Sequence, residues 1–155
     1  MRKWPAYGVA VLMLGYAVGK AAFAVQGRLG FPTGPVVSAA EQERYFLNPS
    51  LAQSFAAVSG IVGAMLALAT IGAFGRRVPR RLMLVALAVL VVGVGAGSVV
   101  MVLDGFVGLG IGWQWYHGVV GLITFVLLVA MARGYFGADA GGDDTGDAED
   151  LEEAR

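Results

Sequence analysis

The sequence has no cysteine, a single histidine and few charged residues, which make up 14% of its 155 residues. Without cysteine the chain cannot form disulfides, thiolate zinc sites, iron–sulfur clusters or dithiol redox centres. One histidine cannot supply bis-histidine haem ligation or a multi-histidine metal site, so we predict neither a metal ion nor a cofactor. A soluble domain has about 25% charged residues. A soluble enzyme, a disordered regulator and a nucleic-acid-binding protein therefore all fit poorly, which leaves an integral membrane protein.

Hydrophobic residues make up 57% of the chain, and the mean hydropathy is +0.72. They form four long apolar runs, at about 6–25, 51–74, 82–103 and 115–131. A helix needs about 20 apolar residues to cross about 30 Å of hydrocarbon, and an unclosed strand would leave backbone groups unpaired in lipid. We therefore predict an all-α fold, a four-helix transmembrane bundle over residues 1–136.

Charge divides the chain into two parts. Residues 1–136 carry ten basic and three acidic side chains, whereas residues 137–155 carry eight acidic side chains and one arginine. The second part has no aromatic residue and cannot bury enough apolar surface to offset its ordering entropy. We predict a disordered acidic tail there, on the cytoplasmic side.

Basic residues also predict the orientation of the bundle. They cluster at three places, which are Arg2 and Lys3, then Arg76, Arg77, Arg80 and Arg81, and finally Arg133. With four crossings all three places lie on one side, which the positive-inside rule makes cytoplasmic. We predict a multi-pass protein of the plasma membrane with both termini in the cytoplasm. The four central arginines also suit anionic lipid headgroups.

The N-terminus has a second interpretation. Arg2 and Lys3, an apolar stretch and then Ala22-Phe23-Ala24 resemble a signal peptide with a small-residue cleavage site. Cleavage would leave three spans with the new N-terminus outside. The apolar run is long for a signal peptide, which favours four spans.

The connection after the first run is expected to contain a short helix on the outer membrane surface. Ser38 and Glu41 have capping-box spacing, and we predict a helix over 38–47. Asn48 and Pro49 suit the cap and first turn of the second span. The glycine-rich stretch 104–112 after the third run is expected to be a partly buried turn or a re-entrant segment.

Small residues recur at four-residue spacing along the predicted spans, which lets helix backbones approach closely in lipid. The glycines predicted to pack helices are Gly15, Gly19, Gly60, Gly63, Gly93 and Gly97. This pattern favours packing within the bundle, and one such face could also join two copies of the chain.

Few ionisable side chains belong to the predicted outer side. Lys20 is the only charge inside the apolar runs, and it either reaches the headgroups or forms an ion pair or ligand contact. His117 follows an aromatic cluster typical of a membrane interface. Under an alternative interpretation Glu41, Glu43, Asp104 and His117 form a catalytic acid–base group.

The sequence resembles two groups of four-span membrane proteins. The start Arg2-Lys3-Trp4-Pro5, a Gly-Phe-Pro-x-Gly turn over 30–34 and the basic loop resemble small four-span proteins of high-GC bacteria. The adjacent Gly19 and Lys20 near the end of the first span resemble the DoxX-type four-helix family. The resemblance covers residues 1–136 and implies the fold, but it lends no catalytic residue.

Two functions follow from these observations. The first is a non-enzymatic accessory protein that packs with itself or with a larger membrane protein, because the spans carry packing glycines and almost no chemistry. The second is a small membrane enzyme that acts on a lipidic, quinone or prenyl substrate at the outer face. The sequence alone leaves the enzymatic question open.

Overall fold

The fold is a bundle of four long apolar helices with one short helix between the first two. The computed structural model describes residues 2–137, so the predicted acidic tail lies outside the described residues apart from Gly137. The helices are α1 (Trp4–Val25), the short α2 (Ala39–Glu43), α3 (Pro49–Ala69), α4 (Arg80–Val107) and α5 (Trp115–Gly137). The four long ones are long and apolar enough to cross a membrane. The predicted all-α, four-span architecture is confirmed, and the chain is a multi-pass membrane protein.

The helices pack as two antiparallel pairs. α1 packs along α3 and α4 packs along α5, and the two pairs meet mainly where α1 contacts α5. The hydrophobic core lies in the half of the bundle nearest Trp4 and Arg80, where Val9, Met83, Leu87 and Leu128 are fully buried. Large apolar side chains cover much of the outer surface, as expected for helices that face lipid.

The two ends of the bundle differ in loop length and in charge. We call the end that carries residues 26–48 (the first loop) and 108–114 (the second loop) the long-loop end. The opposite end, which we call the basic end, carries Arg2, Lys3 and the turn with Arg76, Arg77, Arg80 and Arg81, whose side chains are exposed. With four crossings the described chain both begins, at Arg2, and ends, at Gly137, at the basic end.

Helix ends follow local signals. Asn48 Oδ1 accepts hydrogen bonds from the backbone N–H groups of Ser50 (2.9 Å) and Leu51 (3.4 Å), and Pro49 occupies the first turn of α3, as predicted. The capping box of α2 is also confirmed, because Ser38 and Glu41 bond each other reciprocally. However, α2 ends at Glu43, so the predicted helix over 38–47 is too long.

Two other boundaries differ from the sequence prediction. α3 ends at Ala69 rather than near 74, and Gly75 starts a 3₁₀ turn so close to the Ala69 carbonyl that a Cβ would collide with it. α4 continues past Asp104 to Val107 and ends at Gly108, which has a left-handed conformation with φ of 79°. Of the stretch 104–112, predicted as a partly buried turn or a re-entrant segment, residues 104–107 are helical with Asp104 buried, and residues 108–112 form an exposed loop.

Candidate functional site

Polar side chains of the spans converge on the loops of the long-loop end. The buried polar residues there are Gln53, Asp104 and His117. Every buried side-chain nitrogen and oxygen of residues 2–137 has a hydrogen-bond partner. The partners of these three residues are largely backbone groups of the two loops, so their first effect is to fix loop conformation.

Asp104 organises the second loop. Its Oδ2 accepts hydrogen bonds from the backbone N–H groups of Gly112 (2.9 Å) and Trp113 (2.7 Å), and its Oδ1 accepts one from Ile111 (3.1 Å). The carboxylate thus acts as a template around which the loop closes, since hydrogen bonds to an ionised acceptor are the strong ones. The glycines at 108, 110 and 112 have positive φ and allow the tight path.

His117 joins the two loops. Its Nδ1 accepts a hydrogen bond from the Gln114 backbone N–H at 3.2 Å, so in the neutral ring the proton lies on Nε2. Nε2 then donates to the Thr33 hydroxyl at 3.3 Å. Thr33 itself has φ of 65°, a left-handed conformation that is uncommon outside glycine. The ring is enclosed by the aromatic rings of Trp113 and Tyr116, whose centroids lie 4.9 and 4.3 Å away.

Lys20 and two glutamines hold the first loop. Lys20 Nζ donates to the Gly30 carbonyl at 2.9 Å, and Gln53 Nε2 donates to the same carbonyl at 2.8 Å and to that of Arg28 at 3.1 Å. Gln42 accepts from the Leu29 N–H at 3.0 Å. Lys20 thus makes a backbone contact, and it forms no ion pair with any acidic side chain of residues 2–137. Sequence reasoning missed the roles of Gln42 and Gln53, and an amide in an otherwise apolar span was the available signal.

A shallow pocket opens beside Lys20. Its volume is about 340 Å³, and it lies between α1, α3, α2 and the first loop. Lys20, Gln53, Glu41 and Tyr45 contribute its polar groups. The hydrogen bonds from the Ser38 hydroxyl and backbone N–H lower the pKa of Glu41, so this carboxylate is ionised at neutral pH.

The four residues predicted as an acid–base group do not form one cluster. Glu41 faces the pocket beside Lys20, whereas Glu43 lines a separate surface depression with Phe46 and Pro49. Asp104 and His117 lie on facing segments of α4 and α5 and both contact Trp113, but no hydrogen bond joins their side chains. Among residues 2–137 no group of three acidic or histidine side chains could hold a metal ion.

The predicted packing glycines divide into two sets. Gly60 lies so near α1 that a Cβ would be 2.9 Å from the Met13 carbonyl oxygen, and one on Gly63 would be 2.7 Å from the Met13 sulfur. Gly19 is covered by the Phe31 ring of the first loop. The second set faces outward, because a Cβ added there would have no atom of residues 2–137 within 4 Å; its members are Gly15, Gly93 and Gly97.

Glycines that sequence reasoning did not single out make a second close helix contact. A Cβ on Gly105 would lie 2.9 Å from the Gly118 Cα, and one on Gly121 would lie 2.8 Å from the Ser98 carbonyl oxygen. These contacts bring the backbones of α4 and α5 together beneath the second loop. They hold the segment that carries Asp104 against the segment that carries His117.

No protein-family model, curated protein or solved structure matches the chain. The likeness to DoxX-type and other small four-span proteins therefore stays a prediction.

Proposed function

We propose that the protein is a non-enzymatic accessory protein of the plasma membrane that associates through its spans with itself or with a larger membrane protein. One observation supports this most: Asp104, His117 and Gln53 all bind backbone groups of the protein's own loops. His117 binds a loop hydroxyl, that of Thr33, as well. These groups stabilise a scaffold. The separation of Glu41, Glu43, Asp104 and His117 argues against the enzymatic alternative.

The outward glycines of α4 offer a place for association. Gly93 and Gly97 are one turn apart, so they share a helix face, and Val89 lies on that face one turn earlier with 68% of its surface exposed. A partner helix can approach the backbone closely at such a face.

Association can be tested with single cysteines because the chain has none of its own. Val89→Cys is expected to form an oxidative crosslink in native membranes, either to a second copy or to a heavier partner. Val126→Cys, on α5 and 53% exposed, is the control and is expected to stay monomeric. Adding Gly93→Leu or Gly97→Leu should abolish the crosslink without lowering the unfolding midpoint. Equal crosslinking at both cysteines would indicate random collision and contradict the proposal.

The proposed orientation places the long-loop end outside the cell. Leu109→Cys in the second loop is expected to react with a membrane-impermeant maleimide on intact cells. Phe74→Cys, which is 64% exposed near the basic end, is expected to react only after permeabilisation. The reverse pattern would invert the topology. The intact mass of the purified chain also tests the signal-peptide alternative, since cleavage would remove about 24 residues.

A further inference from the structure

Lys20 is a half-buried cation inside a membrane span that forms no ion pair among residues 2–137. Its ammonium donates one hydrogen bond, to Gly30, and lies 5.5 Å from the ring centroid of Tyr16 and 6.0 Å from that of Phe31. An ammonium group has three N–H donors, so two of them have no acceptor in the described chain. A charge in a span is costly and by default marks a functional contact.

The pocket beside Lys20 supplies charges of both signs. Lys20 contributes a cation and Glu41 an anion, while the walls are mostly apolar, formed by Leu29, Val37, Ala52 and Ala56. Glu41 uses Oε2 for its bonds to Ser38, which leaves Oε1 without a hydrogen bond in the described chain. The volume of about 340 Å³ lies within the range of small-molecule sites. The ligand that complements it has an anionic group next to a cationic one.

We propose that this pocket binds the phosphoethanolamine headgroup of a membrane phospholipid. The phosphate oxygens accept hydrogen bonds from Lys20 Nζ, and the ethanolamine ammonium donates to Glu41 Oε1. Choline fits less well because its quaternary ammonium has no N–H to donate. A phosphatidylglycerol headgroup places the same phosphate at Lys20 but has only neutral hydroxyl groups to donate to Glu41. This inference goes beyond the association proposed above and does not depend on it.

A lipid is a better occupant than a soluble phosphoethanolamine because of where the pocket lies. Lys20 belongs to α1, five residues before its end at Val25, and Ala52 and Ala56 belong to the first two turns of α3. The site therefore lies where the polar first loop meets the apolar spans. Acyl chains attached to the headgroup can extend along the exposed Phe55 side chain, which lies on the same face of α3 as Ala52.

The test is native mass spectrometry of the full chain with equimolar phosphatidylethanolamine, phosphatidylcholine and phosphatidylglycerol of identical acyl chains. The wild-type chain is expected to retain the ethanolamine lipid about tenfold more than the other two, the factor of one charge-assisted hydrogen bond. Lys20→Met should reduce all three adducts, and Lys20→Arg should restore them. Glu41→Gln should remove the preference while keeping the capping box, which accepts glutamine.

Matched controls separate this site from general charge effects. Lys3→Met and Glu43→Gln remove the same charges outside the pocket and should leave the lipid preference unchanged. The first loop should stay anchored in Lys20→Met because Gln53 still donates to Gly30, and an unchanged unfolding midpoint checks this. If the Lys20→Met variant unfolds, the proposal is judged by whether Glu41→Gln removes the preference for the ethanolamine lipid.

Three outcomes would overturn the proposal. The first is a wild-type chain with no preference among the three lipids, and the second is a folded Lys20→Met that retains the ethanolamine lipid normally. The third comes from a competition arm with soluble glycerophosphoethanolamine. If this compound binds as tightly as the lipid, the ligand is a soluble phosphate ester and the membrane source is wrong.

Discussion

Replacing Gly105 or Gly121 by alanine is expected to lower the free energy of unfolding by about 1–3 kcal/mol, the usual cost of overpacking. At both positions the new methyl group would lie within 3.0 Å of backbone atoms on the facing helix, Gly118 Cα for Gly105 and the Ser98 carbonyl oxygen for Gly121. Backbone atoms cannot move aside as a side chain does, so α4 and α5 must separate. Reversible unfolding in mixed detergent micelles measures the change.

Gly93→Ala and Gly97→Ala are the matched controls, since both lie in α4 and have open space around the added carbon. They should leave stability unchanged or raise it by up to about 1 kcal/mol through the higher helix propensity of alanine. Equal losses at all four positions would show that glycine matters for helix flexibility rather than for close packing. The α4–α5 contact described above would then be wrong.

Asp104→Ala is expected to release the second loop and to have the largest local effect of any single polar substitution. The three N–H groups of Ile111, Gly112 and Trp113 lose a charged acceptor together. Their amide hydrogen exchange should accelerate by at least about tenfold, because hydrogen bonds to charged groups are stronger than neutral ones. Protease cleavage in this exposed loop should also become faster.

Asp104→Asn should fall between the wild type and Asp104→Ala. An amide offers one acceptor oxygen, which can serve Gly112 and Trp113 or Ile111 but not both sets. Glu43→Ala, at an exposed carboxylate of the first loop, should change neither exchange nor cleavage in the second loop. If Asp104→Ala leaves the exchange of all three amides at the wild-type rate, the carboxylate does not organise this loop.

Much of the fold could be predicted because lipid simplifies the problem. Long apolar runs specify helices wherever no water can satisfy the backbone, and all four runs are helical. Helix starts could also be predicted where one residue caps the helix that follows it, as Asn48 caps α3 and Ser38 caps α2. Helix lengths were less predictable. α4 extends beyond Asp104 to Val107, where Gly105 packs against Gly118 of α5, and the sequence of α4 does not reveal this contact.

The long-loop end was harder to predict because its side chains bind backbone groups. Every residue has a carbonyl, so nothing in the sequence marks Gly30 as the acceptor shared by Lys20 and Gln53. Sequence reasoning offered the headgroups, an ion pair or a ligand contact for Lys20, and no backbone carbonyl. It identified Lys20, Asp104 and His117, but neither the two glutamines nor the backbone groups to which these residues bind.

Glycine spacing gave a similar mixture of results. The four-residue spacing of Gly93 and Gly97 is visible in the sequence, yet their side of α4 faces away from the bundle. Gly105 and Gly118 lie on different helices, so no spacing rule connects them. A spacing motif shows that another helix can approach a given face closely. Only the tertiary arrangement shows which helix does so.

The length of α4 has a consequence for the surrounding membrane. With 28 residues it extends about 42 Å, whereas α3 with 21 residues extends about 31 Å, close to the hydrocarbon thickness of a bilayer. A helix that exceeds this thickness must tilt, thicken the bilayer locally or protrude from it. Asp104 lies in the last turns of α4, and protrusion keeps its carboxylate and the polar backbone of the second loop out of the hydrocarbon, so it is the least costly of the three. The protein should therefore tolerate bilayers of different thickness by changing how far this one helix end emerges.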